Sequence, residues 1–281
     1  MRIAKEKIPA KVNLTLDVLG TSGNYHNISS LVSSINLYDQ ITLKKRKDRK
    51  ITLTEKGLKA NCPKNQNNAV KIADLFMKTF GTSGVDIIIN KKIFVGGGLG
   101  GSSADIVAVL NGMKRLFKIE DDITPLANKL GSDCAYMLEG GYAIISGRGT
   151  EIEKQNVNCR LYMILIGSNN IISAKNCYNK FDELNKSYPP CTRSATESLL
   201  KGDLQAFFKV AKNDLQDSAM ELDKEIFFPY HALKQTSAKM ISISGSGPTV
   251  FAIYDDKKSR DSAYKRLKDM FNDKIIKAQT L

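Results

Sequence analysis

The sequence predicts an α+β fold in two lobes, because strand-like and helix-like segments alternate along its 281 residues. Apolar and polar residues alternate along residues 6–20, which predicts a strand. Residues 67–80 and 104–117 instead carry apolar side chains three and four positions apart, as amphipathic helices do. We expect a first domain over residues 1–155 and a second over residues 156–281.

The remaining segments continue this alternation to the end of the chain. In chain order we expect an apolar segment at 24–43, a strand at 85–90, a helix at 124–130, a strand and turn at 140–154, a buried strand at 161–167, helices near 174–184, 193–200, 203–221 and 223–234, two strands around a glycine turn at 239–255, and a helix at 259–271.

The bulk composition favours a globular protein over a membrane or secreted one. The chain is 42% hydrophobic and 25% charged, and it contains no apolar run near the length of a membrane helix. Its first residues, MRIAKEKIPAK, lack the apolar stretch of a signal peptide. The five cysteines form no C-x-x-C pair, so we expect reduced thiols and a cytoplasmic location. With only two histidines, the sequence disfavours a histidine-rich metal site.

A basic run, KKRKDRK at residues 44–50, contributes to the net charge of +13. It lies between two β-like ITL segments, at residues 41–43 and 51–53, so we interpret it as the solvated tip of a hairpin. Nucleic-acid binding stays open as an alternative, but no aromatic residues interleave with the basic ones to stack on bases. The positive field favours anionic small molecules as ligands.

The stretch FVGGGLGGSSAD, at residues 94–105, is the most informative segment. It follows the apolar strand VDIIIN and leads into the helical pattern that ends at Phe117. Ser102 or Ser103 stands where the N-cap of this helix belongs. Glycine-rich backbone at a helix N-terminus presents unpaired N–H groups and positive dipole charge to an anion. The loop therefore predicts a site for a di- or triphosphate, with a flexible linker and a plain tight turn as alternatives.

Three other phosphate-binding patterns fit the glycine run less well. No lysine follows the glycines, as the Walker A pattern requires. Gly96, Gly98 and Gly101 match the dinucleotide pattern G-x-G-x-x-G, but Glu120 follows a poor strand instead of the second strand which that pattern needs. The companion motifs of a protein kinase are missing from the sequence.

The glycine-rich stretch is one of six motifs that occur in a fixed order between residues 8 and 255. They are AKVNLTL, NYHNISSLVSSINLYDQI, VGGGLGGSSAD, KLGSDCAYMLEGGYAIISGRGTEIE, NDLQDSAM and ISISGSGPTVFAIYD. This ordered set resembles the GHMP small-molecule kinases. The resemblance implies a GHMP kinase fold, with an N-terminal lobe like domain 2 of ribosomal protein S5 and a ferredoxin-like C-terminal lobe. It also implies ATP-dependent phosphorylation of an alcohol, with ATP and Mg²⁺ as cofactors.

Within this family, the A-K-V-N-L start and the GRG-T-E run make the chain most similar to a member that acts in non-mevalonate isoprenoid biosynthesis. The acceptor alcohol of that member carries a cytidine diphosphate. The resemblance therefore implies a cytidine-containing small molecule as the partner, with no membrane and no nucleic acid, and a monomer or weak dimer.

The resemblance assigns the chemistry to two charged residues. Asp133 is expected to orient the acceptor hydroxyl or to take its proton. Lys11 is expected beside it, where the ammonium would keep the carboxylate ionised and balance charge on the transferred phosphoryl group. Asn13, on the same face of the strand as Lys11, is expected to hydrogen-bond the substrate or Asp133. An exposed strand lysine and a surface aspartate are the alternatives.

The nucleotide and its metal are expected at the glycine-rich loop. Asn68, at the start of a helix, is expected near the adenosine, although a simple N-cap fits it equally well. ATP brings Mg²⁺, which takes few protein ligands, and Ser103 is the candidate ligand. The residues expected to hold the phosphates are Gly96, Gly97, Gly98, Leu99, Gly100, Gly101, Ser102 and Ser103.

The acceptor is expected to be held through its base and its phosphates. Tyr25 would stack on one face of the cytosine, Tyr178 on the other, and His26 would bond its edge. An exposed loop histidine and a core tyrosine are the alternatives. Ser246 and Gly247, in a second glycine turn, are expected to close over the substrate phosphates, with a plain hairpin turn as the alternative.

The chain departs from the pattern of the family at several positions. Phe94 stands where the family has proline, Ala104 lies between the serines and the aspartate of the loop, and Ala174 stands where the family has threonine. The rival functions are another GHMP kinase, acting on homoserine, mevalonate or a sugar, and a nucleotide- or RNA-binding paralogue without kinase activity. Lys11 and Asp133 favour a kinase, since a pure binding protein needs neither.

Overall fold

The structure, a computed structural model, describes residues 2–23, 25–60 and 62–281. Asn24, which belongs to the predicted substrate loop, lies outside the described residues. Within the described ranges, no helix is both long enough and apolar enough to span a membrane.

Strands and helices alternate along the chain, so the predicted mixed α+β class is confirmed. The strands are β1 (Ile3–Asn13), β2 (Asp17–Ser22), β3 (Tyr25–Lys45), β4 (Ile51–Gly57), β5 (Val85–Lys91), β6 (Tyr142–Gly147), β7 (Glu151–Gln155), β8 (Tyr162–Ile166), β9 (Met240–Ile243), β10 (Val250–Tyr254) and β11 (Ile275–Gln279). The helices are α1 (Asn68–Phe80), α2 (Gly101–Phe117), α3 (Thr124–Ala127), α4 (Cys134–Glu139), α5 (Ala174–Leu184), α6 (Thr192–Leu200), α7 (Leu204–Val210), α8 (Gln216–Leu222), α9 (Phe227–Lys234) and α10 (Lys257–Phe271).

By their internal contacts, the described residues divide into two compact units. The first unit comprises the chain up to Ala10, Leu37–Val95 and Gly100–Glu139, and the second comprises Lys11–Asn36, Gly96–Leu99 and Gly140–Leu281. The chain therefore passes from one unit to the other several times. The expected boundary at residue 155 concerns consecutive domains and stays a prediction.

In the first unit, β5 lies between two other strands. It pairs in parallel with β4 and antiparallel with the C-terminal part of β3. Helices α1 and α2 pack against each other, and side chains such as Phe76 and Val109 are fully buried. The glycine-rich loop thus leaves a strand with partners on both sides and leads into a helix with a buried face.

The basic run in this unit is not the tip of a hairpin, as the sequence led us to expect. Strands β3 and β4, which flank it, both pair with β5 and are separated by it. The connecting segment crosses the start of β5, where the Arg46 N–H donates to the Gly84 carbonyl at 2.9 Å and the Gly84 N–H donates to the Asp48 carbonyl at 2.7 Å. The Arg46 guanidinium also donates to Asp48 and Asp86, each at 2.6 Å, so part of the positive charge is paired within the protein.

The second unit contains a four-stranded antiparallel sheet in the order β11-β8-β10-β9. Its core includes Ile164 of β8 and Val250 of β10, together with Leu267 and Phe271 of α10. The N-terminal part of β3 also belongs to this unit, where it pairs antiparallel with β6, and β6 pairs antiparallel with β7.

Two predicted elements are interrupted in the second unit. The predicted strand at 6–20 divides into β1 and β2, and the predicted helix at 203–221 divides into α7 and α8. One pairing explains both breaks, because the Leu16 N–H donates to the Lys212 carbonyl and the Asp214 N–H donates to the Leu16 carbonyl, each at 2.9 Å. Backbone groups used in this tertiary pairing are not available to a continuous strand or helix.

We predict that Gly84→Ala lowers the free energy of unfolding by about 3 kcal/mol, a cost typical of severe overpacking. A Cβ atom at Gly84 would lie 1.9 Å from the Lys50 carbonyl oxygen, so the backbone has to move. Gly81→Ala is the matched control, because its φ is +63° and a Cβ there meets nothing within 4 Å. That variant should lose only the left-handed backbone cost of about 1 kcal/mol. Urea denaturation measures both, and equal losses would contradict the contact between Gly84 and the basic segment.

Candidate functional site

The glycine-rich loop adopts a backbone that L side chains rarely follow. Gly96, Gly98 and Gly100 have φ angles of 63°, 74° and 70°. At Gly98 the space is closed as well, because a Cβ would lie 2.0 Å from the Ser244 carbonyl oxygen. One reason for glycine at this position is therefore the close approach of another turn of the backbone, in addition to any ligand.

The predicted N-cap of α2, Ser102 or Ser103, is wrong. The helix begins at Gly101, and its N-cap is Gly100, which has no side chain to offer. The Ala104 N–H donates to the Gly100 carbonyl at 2.9 Å, which brings both serines into the first helical turn. Because no side chain caps this end, its first N–H groups keep the capacity to bind an anion.

The second glycine turn contacts the first loop within the second unit. The Ser244 hydroxyl donates to the Gly98 carbonyl at 2.9 Å and accepts from the Asn13 N–H at 3.2 Å. The turn itself closes through the Gly247 N–H, which donates to the Ser244 carbonyl at 2.9 Å. The predicted substrate-binding residues Ser246 and Gly247 therefore lie in a turn that is tied to the glycine-rich loop.

Asn213 anchors this second turn and was missed by the sequence reasoning as a site residue. Its side-chain amide donates to the carbonyls of Ile243 and Gly245, at 3.0 and 2.8 Å. Its side-chain oxygen accepts from the Leu215 N–H at 2.9 Å. The motif NDLQDSAM contains this residue, but nothing in the motif indicates which backbone it binds.

Lys11 and Asn13 lie at the end of β1, beside the same loop. The Lys11 N–H donates to the Leu99 carbonyl at 3.0 Å, and its ammonium donates to the Asn13 side-chain oxygen at 2.5 Å. Asn13 also donates to the Ser30 hydroxyl at 2.8 Å. Both side chains are buried, at 6% and 5% exposure, so the alternative of an exposed strand lysine is excluded. The arrangement holds a cation in a fixed place beside the loop backbone.

Asp133 lies in the first unit, in the turn that leads into α4. The predicted helix at 124–130 ends at Ala127, and Asp133 precedes Cys134, the first residue of α4. This turn packs on the start of α2, because a Cβ at Gly131 would lie 2.8 Å from the Ser103 hydroxyl. Asp133 is half-buried there, not on an open surface.

The alternative that Asn68 is simply the N-cap of α1 is wrong. Asn67 takes that place, since its side chain accepts from the Ala69 N–H at 2.9 Å. Asn68 is free of that task, and its amide donates to the Ser102 hydroxyl at 2.8 Å. The structure thus brings Asn68 to the first turn of α2, at the end of the glycine-rich loop.

Two of the three rings expected to hold a base, those of His26 and Tyr178, lie together in the second unit. His26 stacks on Tyr178, with ring centroids 4.7 Å apart and planes 17° from parallel. Tyr178 is also packed against the hydrophobic core of this unit, so it takes in part the position of a core tyrosine, which was the alternative to base stacking. Two partners were not foreseen: Asp182, whose carboxylate lies 2.8 Å from the His26 Nε2 atom, and Arg148, whose guanidinium carbon lies 3.6 Å from the centre of the Tyr25 ring.

A buried charge cluster lies in the first unit beside α2. The Lys91 ammonium donates to Asp39 and to Asp105, at 2.6 Å each. Burial, reinforced by the neighbouring carboxylate of Asp39, raises the pKa of Asp105 to about 7, although the Lys91 ammonium opposes the shift. For Lys91 itself, burial alone would lower the pKa, but the two carboxylates outweigh it and raise that pKa. The sequence reasoning did not include this cluster.

A resident metal has few possible ligands in the part of the chain that the structure describes. No group of three or more His, Cys, Asp or Glu side chains there could hold an ion. Ser103, the candidate magnesium ligand, is buried in the first turn of α2 and offers a single hydroxyl. One hydroxyl fits Mg²⁺ that arrives with ATP, since that ion keeps waters and phosphate oxygens as its other ligands.

Each unit thus brings part of the predicted site together. In the second unit, Lys11 contacts both Asn13 and Leu99, and Gly98 contacts the second glycine turn. In the first unit, Asn68 meets Ser102. The expected pairing of Lys11 with Asp133 joins residues of different units and stays a prediction.

Family models match both halves of the chain. The N-terminal domain of GHMP kinases matches residues 67–147, and the C-terminal domain of GHMP kinases matches residues 195–273.

Curated relatives match nearly the whole chain. The 4-diphosphocytidyl-2-C-methyl-D-erythritol kinase of Clostridium tetani (strain Massachusetts / E88) is 31% identical over 278 residues, which cover 97% of this chain and 98% of the relative. The kinase of the same name from Clostridium beijerinckii is 30% identical over 283 residues, which cover 97% and 98%. A crystal structure of 4-(cytidine 5'-diphospho)-2C-methyl-D-erythritol kinase is 22% identical and matches with a TM-score of 0.84 over 98% of both chains, which shows the same fold.

We predict that Asp105 makes the free energy of unfolding depend on pH. Its folded pKa of about 7 lies above the unfolded value of about 3.9, so the folded state binds this proton more tightly. The stability that results is fully present below about pH 4 and is lost as the pH rises through about 7.

Asp105→Asn cannot titrate and should remove this component. The difference in unfolding free energy between the wild type and the variant should therefore fall by about 2–4 kcal/mol from pH 4 to pH 8. Urea denaturation of both proteins across this range measures the difference. A constant difference would show that Asp105 has an ordinary pKa in the folded protein.

Proposed function

The chain belongs to the GHMP kinase family and is an ATP-dependent small-molecule kinase, and we propose that its acceptor is the 2-hydroxyl of 4-diphosphocytidyl-2-C-methyl-D-erythritol. The relatives from the two Clostridium species support this acceptor molecule, because their names contain it and they align over nearly the full length of the chain. The proposal places the enzyme in non-mevalonate isoprenoid biosynthesis.

The observation that carries the kinase chemistry is the buried Lys11, which is hydrogen-bonded through both its backbone N–H and its side-chain ammonium. Its N–H is bonded to the Leu99 carbonyl of the glycine-rich loop, and its ammonium is bonded to Asn13. In the proposed mechanism this ammonium stabilises negative charge on the transferred phosphoryl group. A cation that is already in place costs no reorganisation at the moment of reaction.

Asp133 is the proposed catalytic carboxylate. It orients the acceptor hydroxyl and accepts its proton as the oxygen bonds to the γ-phosphorus of ATP, while the bond from that phosphorus to the bridging oxygen breaks and ADP leaves. Phosphoryl transfer needs little covalent chemistry from the protein, so positioning and charge account for most of the effect. The uncapped N-terminus of α2 and the glycine backbone before it bind the phosphates of ATP in this proposal, and Asn68 lies on the adenosine side.

Magnesium completes the proposed phosphate site. When bound with ATP, it neutralises charge on the phosphate oxygens, and Ser103 is the protein ligand that we assign to it. We also propose a cytoplasmic location, which is supported by the five cysteines, all of which are free thiols in the structure. A monomer or weak dimer remains the expectation for the assembly.

The cytosine of the acceptor is proposed to bind at Tyr25, His26 and Tyr178. The rings of His26 and Tyr178 are stacked on each other, so the base is expected to enter against Tyr25 or to separate the stacked pair. Tyr25 is 54% exposed, and the Arg148 guanidinium lies over its ring. The second glycine turn, with Ser246 and Gly247, contacts the diphosphate of the acceptor in this proposal.

Asp133→Asn should leave ATP affinity within about twofold of the wild type and lower kcat by about 10²–10⁴-fold, because the amide keeps the shape and loses the basicity. Asp121→Asn, in an exposed loop of the same unit, is the control and should keep wild-type kcat. Calorimetry measures ATP binding, and a coupled assay with a panel of acceptor alcohols measures turnover. Wild-type kcat in Asp133→Asn would contradict the assignment. Non-additive losses in the double variant with Lys11→Met would indicate that the two residues act together.

The base site is tested with CDP and UDP. Tyr25→Ala should raise KM for the cytidine acceptor by about 10–100-fold and leave KM for ATP unchanged, since one stacking face is worth about 1–3 kcal/mol. His26→Ala should instead reduce the preference for CDP over UDP, because only an edge contact distinguishes the two bases. Phe228→Ala, which removes an exposed ring elsewhere in the second unit, is the control. Equal affinity of the wild type for CDP and UDP would exclude the cytidine acceptor even if kinase activity is present.

A further inference from the structure

The buried cluster of Asp39, Lys91 and Asp105 connects the chain segment before the glycine-rich loop with the segment after it. Lys91 is the last residue of β5, before the loop, and Asp105 lies in the second turn of α2, after it. One ammonium group bonds both the strand side and the helix side, at 2.6 Å to Asp39 and 2.6 Å to Asp105. The side chains of Asp39, Lys91 and Asp105 are 2%, 5% and 8% exposed, so solvent has little access to the contacts.

The cluster also holds the backbone where the loop begins. The second carboxylate oxygen of Asp39 accepts from the N–H groups of Lys92 and Ile93, at 2.6 and 2.8 Å. The other end of the loop lies close to the same ammonium, because a Cβ at Gly101 would be 3.7 Å from the Lys91 Nζ atom. Between these two anchors the loop is rich in glycine and has few side chains of its own with which to fix its path.

The arrangement is not the one that stability alone would favour. Three ionised groups would leave one net negative charge in the interior, and a buried ion pair often contributes no more than apolar residues of similar volume. In addition, the Oδ1 atom of Asp105 is buried and has no hydrogen-bond partner among the described residues. An unpaired buried oxygen is destabilising. The feature that Asp105 does provide is a directed bond from α2 to the ammonium at the end of β5.

We propose that Asp105, acting through Lys91, is a positioning residue for ATP: it fixes the distance between the end of β5 and the start of α2, and so holds the glycine-rich loop in the shape that binds the nucleotide phosphates. This inference rests on the proposed function only in taking this loop as the ATP site. Asp105 contacts neither substrate in this proposal. Its effect reaches the nucleotide through the loop backbone.

Asp105→Leu tests the proposal, because Leu has the same branching pattern as Asp but no charge or acceptor, and Lys91 stays paired with Asp39. The expected result is a melting temperature equal to or higher than that of the wild type, with KM and the calorimetric Kd for ATP raised about tenfold or more. KM for the acceptor should stay within twofold. Asp105→Asn, which keeps an acceptor for Lys91, should recover most of the ATP affinity. A purely structural residue would change stability and affinity in the same direction.

Arg260→Met is the matched control, since Arg260 is another buried cation, 5% exposed, with bonds to Asp261 and to the Ala278 carbonyl. It should lower the melting temperature and leave KM for ATP unchanged. If Asp105→Leu does not fold, Asp105→Ala, which removes the acceptor without adding volume, takes its place. Wild-type ATP affinity in the folded variant, or an equal loss of affinity in Arg260→Met, would overturn the proposal.

This experiment distinguishes a failure of the proposed kinase function from a failure of the positioning role of Asp105. If the wild type binds ATP but phosphorylates none of the acceptor alcohols, the proposed function fails, and the calorimetric comparison of the Asp105 variants still decides the positioning role. If the wild type phosphorylates its acceptor and the Asp105 variants bind ATP as well as it does, the positioning role fails and the proposed function stands.

Discussion

The close approach of two glycine turns is the constraint on which the rest of the candidate site depends. The Ser244 carbonyl oxygen lies where a side chain at position 98 would begin, so neither turn can change its path without moving the other. The Ser244 hydroxyl bonds Gly98 and Asn13, and Asn13 accepts from the Lys11 ammonium. A series of hydrogen bonds thus links the conformation of the two glycine turns to the position of the buried Lys11 ammonium. Because every member of the series is buried or nearly so, the loss of one leaves its neighbour without a partner, which costs more than the bond itself contributes.

The sequence predicted those elements whose local pattern and tertiary environment agree. Helix α1 begins within one residue of its expected start, because Asn67 caps it and its apolar face is regular. The predictions that were wrong lie where tertiary pairing overrides the local pattern. Leu16 interrupts a strand and the 211–215 segment interrupts a helix because they pair with each other across the sequence. The two ITL segments flank a basic run as a hairpin would, but they are separated by β5, whose insertion between them no local pattern can indicate.

The candidate site was predictable to the extent that motifs contain its residues. The glycine-rich loop was identified from its glycines at the start of a helical pattern, and Lys11 and Asn13 were identified because the order of the motifs resembles a known family. Their partners were not, because they meet only in the folded chain. Lys91 and Asp39 are 52 positions apart, and nothing about either position alone distinguishes a buried ion pair from two exposed charges. The same holds for Asn213, whose amide binds a turn 30 or more residues away, and for Asp182 beside His26. The N-cap of α2 was assigned wrongly because serine is the usual capping residue, whereas here glycine occupies that place.

The division of the chain into two units also sets an order of assembly during synthesis. Every residue of the first unit has been made once the ribosome has passed Glu139. The second unit needs the last strand, because β11 pairs with β8 and the Thr280 hydroxyl bonds both the Tyr142 hydroxyl and the Leu161 N–H, at 2.9 Å each. At about 5–20 residues per second, the remaining synthesis takes on the order of ten seconds. During that time the N-terminal part of β3 belongs to a unit that is still incomplete, while its C-terminal part can already pair with β5. A single strand therefore acquires its partners in two stages, β5 in the first unit and β6 soon afterwards. Strand β8, in contrast, has neither partner strand until β10 and β11 have been made, so its edges stay unpaired for most of the interval and are the kind of surface on which chaperones act.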